Sequence, residues 1–297
     1  MWWPLLIIPA LFVLGYYRDR RRIGVAKARR SLILHFACLA VLYCLTIIAL
    51  VLLEDKLLFQ PISFEELHIA TPELNYEEVT IPCPTGNQLR GWWCTQEEAE
   101  WTILYCHGTG GNLTLHTMIV PILQKSSKVN VLAFGYPGYS GSTGTPTETG
   151  CYDSADAAYD WLLTVKKIKP ERLMIFGQSL GGGVACNLAV KKPHAGLILL
   201  STFTTLPDRA QEFLPIFPVK WFMKNQFDNR SKLSHYTGPL LIAHGDNDDV
   251  VPFHHGEELF ACSVSPRKEF CHIPGGTHVV FNQEFFRRVA GMMTTLP

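Results

Sequence analysis

The chain is poor in charge and has no excess of either sign. Asp, Glu, Lys and Arg make up 18% of its 297 residues, 26 basic against 26 acidic. With 47% apolar residues it is a globular composition, not a disordered one. The balance leaves no global field to gather phosphates, so no nucleic-acid partner is expected. No CxxC pair occurs among its nine cysteines. That excludes the commonest zinc spacings and reads as mostly buried free thiols. No lysine follows a glycine run in P-loop spacing. Neither 108–113 nor 177–183 supplies the G-x-G-x-x-G of a dinucleotide site. Internal repeats and low-complexity linkers are absent as well. No metal and no organic cofactor is expected.

What the chain does contain begins with apolar runs. Residues 32–53 are 22 consecutive residues without Lys, Arg, Asp or Glu, and a membrane span needs about 20. Residues 2–17 form a second, shorter run, interrupted by Pro4 and Pro9 and flanked by Trp2, Trp3, Tyr16 and Tyr17. Between them, 18–30 carries seven basic residues against one acid. The expectation is a membrane anchor over 1–56, a helical hairpin whose basic loop stays cytoplasmic. A catalytic domain over 57–297 would then face the periplasm, a lumen or the exterior. The lipid bilayer is thus an expected partner. A sequon at Asn229 would report a lumenal placement, and a second stands at Asn112.

After residue 57 short apolar runs alternate with helical stretches. EEVTIPCPTG and QLRGWWCT read as a hairpin about Gly86-Asn87. WTILYCHG, VNVLAFGYPG, RLMIFGQS, AGLILLST, PLLIAHGD and KEFCHIPG are six further strands, most too uniformly apolar to be wet on one face. SADAAYDWLLTVKK, GGGVACNLAVKK and HHGEELFACS are helical. The alternation predicts an α/β fold with a mostly parallel sheet and helices on both faces.

One serine stands out. FGQSLGGGVA (176–185) places Ser179 between Gly177 and Gly181 at the junction of a strand and a helix. In so tight a turn, side chains two before and two after the serine would clash. The helix-start amide of Leu180 has no intrahelical acceptor and is free to bind an oxyanion. A serine hydroxyl needs a base. His278, in PGGTHVVF, follows the last strand through a Gly-Gly turn. His272 lies inside that strand, His254 and His255 open a helix on the exposed side, and His107 shapes a loop. The acid that would orient His278 comes from Asp246, Asp248 or Asp249, just after a strand, with Asp248 preferred. A second oxyanion donor is expected from HGTGGN (107–112), at the amide of Thr109. LPIFPVKWFM (214–223) is either a helix packed on the sheet or an apolar wall that receives an acyl chain.

In order, LYCHGTGGN, FGYPGYSGSTG, FGQSLGGGVA, STFTTLPD, HGDNDDVVPF and GTHVVF resemble the landmarks of membrane-anchored α/β-hydrolases of the bud-emergence-homologue type. Vertebrate abhydrolase-domain proteins with one N-terminal anchor are similar, and KLLFQP also resembles that group. The likeness covers about residues 55–297. It implies the α/β-hydrolase fold with a small cap and a serine hydrolase that takes acyl-type small-molecule, lipid or peptide substrates. It carries a triad onto Ser179, Asp248 and His278 and the oxyanion amides onto Thr109 and Leu180. The competing expectation is a catalytically silent hydrolase fold used as a membrane interaction module. No feature of the sequence fixes an oligomeric state.

Overall fold

The computed structural model describes residues 16–18, 21, 24–62, 74–279 and 282–296. The expected span over 2–17 lies, apart from its last two residues, outside them. The chain divides into two compact units, 1–53 and 54–297. In the first, a helix runs from Val25 to Leu52, with mean hydropathy 2.5 over its most apolar window. It is long and apolar enough to cross a membrane. Cys38 and Cys44 are exposed on it.

The second unit is built on one eight-stranded sheet in the order β1-β2-β4-β3-β5-β6-β7-β8. β1 (Tyr76–Pro82) and β2 (Gln88–Cys94) form the hairpin expected at Gly86-Asn87, and β2 pairs antiparallel with β4 (Val129–Phe134). All other pairings, among β3 (Trp101–Cys106), β4, β5 (Leu173–Gln178), β6 (Gly196–Leu200), β7 (Leu240–Gly245) and β8 (Lys268–Ile273), are parallel.

Uniformly apolar strands follow from two covered faces. Leu104, Leu132, Ile175 and Leu197 point into one core, with Ala155 and Leu162 of the helix Glu148–Thr164 and Val184 of the helix Leu180–Ala189. Their neighbours Ile103, Val131, Met174 and Ile198 point into the other, with Leu123 and with Phe285 and Val289 of the helix Gln283–Thr294. Alternate side chains of a strand face opposite ways, so both sets must be apolar.

The helix expected from Ser154 begins at Glu148. Thr147 caps it, its hydroxyl accepting from the Gly150 amide at 3.0 Å. Asn282 caps the helix Gln283–Thr294 in the same way. Cys262 and Cys271 are free thiols, as are the other cysteines. Residues 214–223 are not a helix on the sheet. They hold one 3-10 turn, Val219–Trp221, beside the helix Leu206–Phe213. Asn112 and Asn229 are both fully buried. The side-chain Nδ2 of Asn229 donates to the Phe203 carbonyl at 2.9 Å. Neither sequon therefore offers an accessible side chain in the folded protein.

Candidate active site

The site forms where β3, β5, β7 and β8 end, because parallel strands deliver their carboxyl ends to one edge. β5 stops at Gln178, and Ser179 takes φ 53° and ψ −121°, a sparsely populated conformation for a residue with a Cβ. Hydrogen bonds hold it there. The Ser179 amide donates to the Leu200 carbonyl at 3.0 Å. Its carbonyl accepts from the Thr202 hydroxyl at 2.7 Å and the Gly182 amide at 2.9 Å.

The glycines around it are steric necessities. A Cβ at Gly181 would lie 2.0 Å from the Cys106 carbonyl oxygen, and one at Gly177 would lie 2.4 Å from the Gly181 carbonyl oxygen. A Cβ at Gly183 would sit 2.6 Å from the Phe227 ring, so this third glycine admits a residue of the β6–β7 connection rather than the sheet.

His278 Nε2 lies 3.0 Å from Ser179 Oγ, and Nδ1 lies 2.8 Å from Asp248 Oδ2. Asp248 is the buried one of the three candidate aspartates; Asp246 and Asp249 are exposed. Asp246 instead pairs with His272 at 2.9 Å. Asp248 Oδ1 accepts the amides of Val250 and Val251 at 2.9 and 2.8 Å. Burial would raise this carboxyl. Hydrogen bonds from His244 and His278, the charge of a protonated His278 and the Val251 amide outweigh it and hold the group well below the usual carboxylate range. An ionised Asp248 only accepts, so Nδ1 of His278 carries the proton. Nε2 is left with its lone pair towards the serine. His244, which no sequence signal marked, donates from Nε2 to the Val251 carbonyl at 2.8 Å. That nitrogen lies 3.4 Å from Asp248 Oδ2.

The loop after β3 approaches the serine from the other side. A Cβ at Gly108 would lie 3.3 Å from the Ser179 Cβ. Two imidazoles shape this loop. His116 Nε2 donates to the Gly110 carbonyl at 2.6 Å, and His107 stacks on His116 with ring centroids 4.5 Å apart. Burial pulls His116 down to about 4, and burial together with His116 pulls His107 well below the ordinary imidazole range. Both rings are neutral at neutral pH. The Tyr136 hydroxyl donates to the His107 carbonyl at 2.9 Å. His116 lies outside every sequence motif, and Tyr136 stands in FGYPGYSGSTG without a signal that marks its hydroxyl. Thr109 is exposed at the tip of the loop, and Leu180 is buried at the helix start.

Among the described residues, one group offers clustered metal-ligand atoms: Glu212, His254 and His255. His255 is buried, contrary to the exposed position expected for it. The Thr204 amide donates to His255 Nδ1 at 3.2 Å, which places the ring proton on Nε2, facing Glu212 at 3.1 Å. A metal there would need the Nε2 lone pair, with Nδ1 donating instead. Hydrogen bonds satisfy this cluster without an ion.

Two stability predictions follow from these contacts. Gly181→Ala should cost about 3 kcal/mol or more in denaturant unfolding, because backbone atoms cannot yield. Gly291→Ala, in a helix with nothing within 4 Å of the new Cβ, should gain about 0.5–1 kcal/mol. Asp248 adds an acid-side signature. Its folded value is depressed, so its stabilisation is complete above the unfolded carboxyl value of about 4 and is lost as pH falls below it. Asp248→Asn should flatten the fall of the thermal midpoint below about pH 4; an unchanged slope would contradict the assignment.

Comparison with known proteins agrees with this architecture. Residues 102–224 match the family model of the α/β-hydrolase fold. The α/β-hydrolase domain-containing protein WAV2 of Arabidopsis thaliana is 30% identical over 256 residues, 77% of this chain and 82% of WAV2. An uncharacterized protein of Mycobacterium tuberculosis is 32% identical over 203 residues, 68% of this chain and 72% of the relative. The structure of a Pyrococcus furiosus esterase is similar with a TM-score of 0.65 at 21% identity, over 80% of this chain and 98% of that one, a likeness of fold. With its ordered strands, its elbow at Ser179 and a relative matched over most of its length, this chain belongs to the α/β-hydrolase family.

Proposed function

We propose that the protein is a membrane-tethered serine hydrolase that cleaves ester, thioester or peptide-like acyl substrates through an acyl-enzyme. The observation that carries this reading is the hydrogen-bonded series Ser179–His278–Asp248, set on a strand–helix elbow. Ser179 Oγ attacks the substrate carbonyl carbon while His278 Nε2 takes its proton. Negative charge develops on the carbonyl oxygen, and the amides of Leu180 and Thr109 are the donors assigned to it. His278 then returns the proton to the leaving group as the carbonyl–leaving-group bond breaks. Water, deprotonated by His278, repeats the sequence on the acyl-enzyme and frees the acid and Ser179. Asp248 stays ionised, fixes the tautomer of His278 and stabilises its cationic form.

The apolar helix Val25–Leu52 supports the tether, and the basic stretch 18–30 supports a non-cytoplasmic catalytic domain. A fluorophosphonate probe tests the chemistry. It should label wild type and lose all labelling in Ser179→Ala. Asp248→Asn should lower kcat on the order of 10⁴-fold, as expected when the base is held in the wrong tautomer. A folded wild type that takes no label would instead favour an interaction module.

The small cap speaks to the substrate. Trp221 is 81% exposed and Phe222 is half-exposed on the β6–β7 connection. Exposed rings of this size suit an acyl chain or a lipid surface better than a small polar substrate. Trp221→Ala with Phe222→Ala should reduce kcat/KM for long-chain esters roughly tenfold more than for acetate esters. An equal loss on both would remove the cap from the substrate path.

A further inference from the structure

The residues that follow the long apolar helix are built into the catalytic unit. Glu54 is 6% exposed, yet it is a carboxylate with three donors. Oε1 accepts the Asn225 amide at 2.8 Å and the Asn225 side chain at 2.7 Å, and Oε2 accepts the Lys224 amide at 3.0 Å. Asp55 takes the Asn225 side chain at 2.9 Å and pairs with Lys224. Asn225 continues inward, accepting the Glu148 amide at 3.2 Å, while the Glu148 carboxylate accepts the Phe227 amide at 2.8 Å. Phe227 packs edge-on to Phe59, ring centroids 6.4 Å apart, and covers Gly183 of the nucleophile helix. One end of the segment is therefore fixed through buried polar groups, which are costly to leave unpaired.

The other end reaches the loop after β3. The Thr109 hydroxyl donates to the Leu58 carbonyl. The Ile62 amide donates to the Gly111 carbonyl at 3.0 Å, and Pro61 and Gly111 form an isolated parallel bridge. Gly110 and Gly111 have φ of +73° and +77°, so the loop contains two residues with little intrinsic preference for one geometry. His116 restrains it from within. From without, the restraints include the Leu58 carbonyl, Ile62 and the Tyr136 hydroxyl on the His107 carbonyl.

We propose that Glu54–Ile62 is a strap that positions the oxyanion loop, latched by Glu54 on Asn225 and closed by the side chain of Thr109 on Leu58. The inference rests on the serine-hydrolase reading, in which the Thr109 amide faces the developing oxyanion. Glu54 is then a positioning residue, acting on the reaction from the far end of the strap. An oxyanion donor displaced by a fraction of an ångström loses transition-state stabilisation while ground-state binding is little changed. The signature of a loosened strap is a fall in kcat at nearly constant KM.

The test uses full-length protein in detergent micelles, with p-nitrophenyl butyrate as substrate, fluorophosphonate labelling and thermal melting in parallel. Thr109→Val, which removes the hydroxyl at nearly constant volume, and Glu54→Ala should each lower kcat roughly 10- to 100-fold, with KM within about threefold of wild type. Thr109→Ser, which keeps the hydroxyl, should restore most of the rate. Should Glu54→Ala fail to fold, the Thr109 pair decides alone. Wild-type kcat in Thr109→Val, or a loss that Thr109→Ser does not restore, overturns the strap while labelled wild type leaves the hydrolase reading intact. A folded wild type that neither turns over substrate nor takes label overturns both.

Discussion

The helix that carries Leu180 lies so close to the end of β3 that only a hydrogen atom fits between them. A methyl at Gly181 would overlap the carbonyls of Cys106 and His107. Everything at the site depends on that contact. It forces the backbone of Ser179 into its strained conformation and presents its side chain above the strand ends. It sets Ser179 at the helix N-terminus, and it brings the 107–112 loop alongside. A looser junction would leave the serine on an ordinary helix cap, where its hydroxyl would be drawn to its own helix amides.

Electrostatics around this contact are spare. The imidazoles beneath the loop are neutral because burial disfavours their charged form, and Asp248 is ionised because amides and imidazoles favour its charged form. The one fixed charge in the hydrogen-bonded series is thus at its far end from the serine, where it sets the tautomer of His278. Loop and series are held in different ways: ring stacking and backbone acceptors in one, a satisfied carboxylate in the other.

A second polar framework surrounds the first. Glu54, Asn225 and Glu148 come from three separate parts of the chain and close on one another through backbone amides. Phe59 and Phe227 seal it beside Gly183. The boundary between the two units falls after Leu53, and Glu54 and Asp55 spend their hydrogen bonds within the second unit. The short β6–β7 connection consequently has two tasks. It covers the helix Leu180–Ala189 with Phe227 and leaves Trp221 exposed.

Much of this was written locally. The central strands could be read because a sheet covered on both faces demands apolar residues at every position, and the elbow because glycines two before and two after a serine have a steric cause. The helix Gln283–Thr294 carries only a weak sequence signal because its apolar residues are spaced among charges, and its amphipathic face is defined by the sheet it covers. Ser179, Asp248 and His278 are named by their positions after strands. Their assembly spans 99 residues from serine to histidine, and only the fold brings them within hydrogen-bond distance. Why Gly183 is a glycine, that two sequons are buried, and that Glu54 meets Asn225 171 residues away were decided by tertiary structure alone. The reason is physical: backbone preference and apolar pattern act within a few residues, whereas burial and hydrogen-bond partners exist only once distant segments have packed.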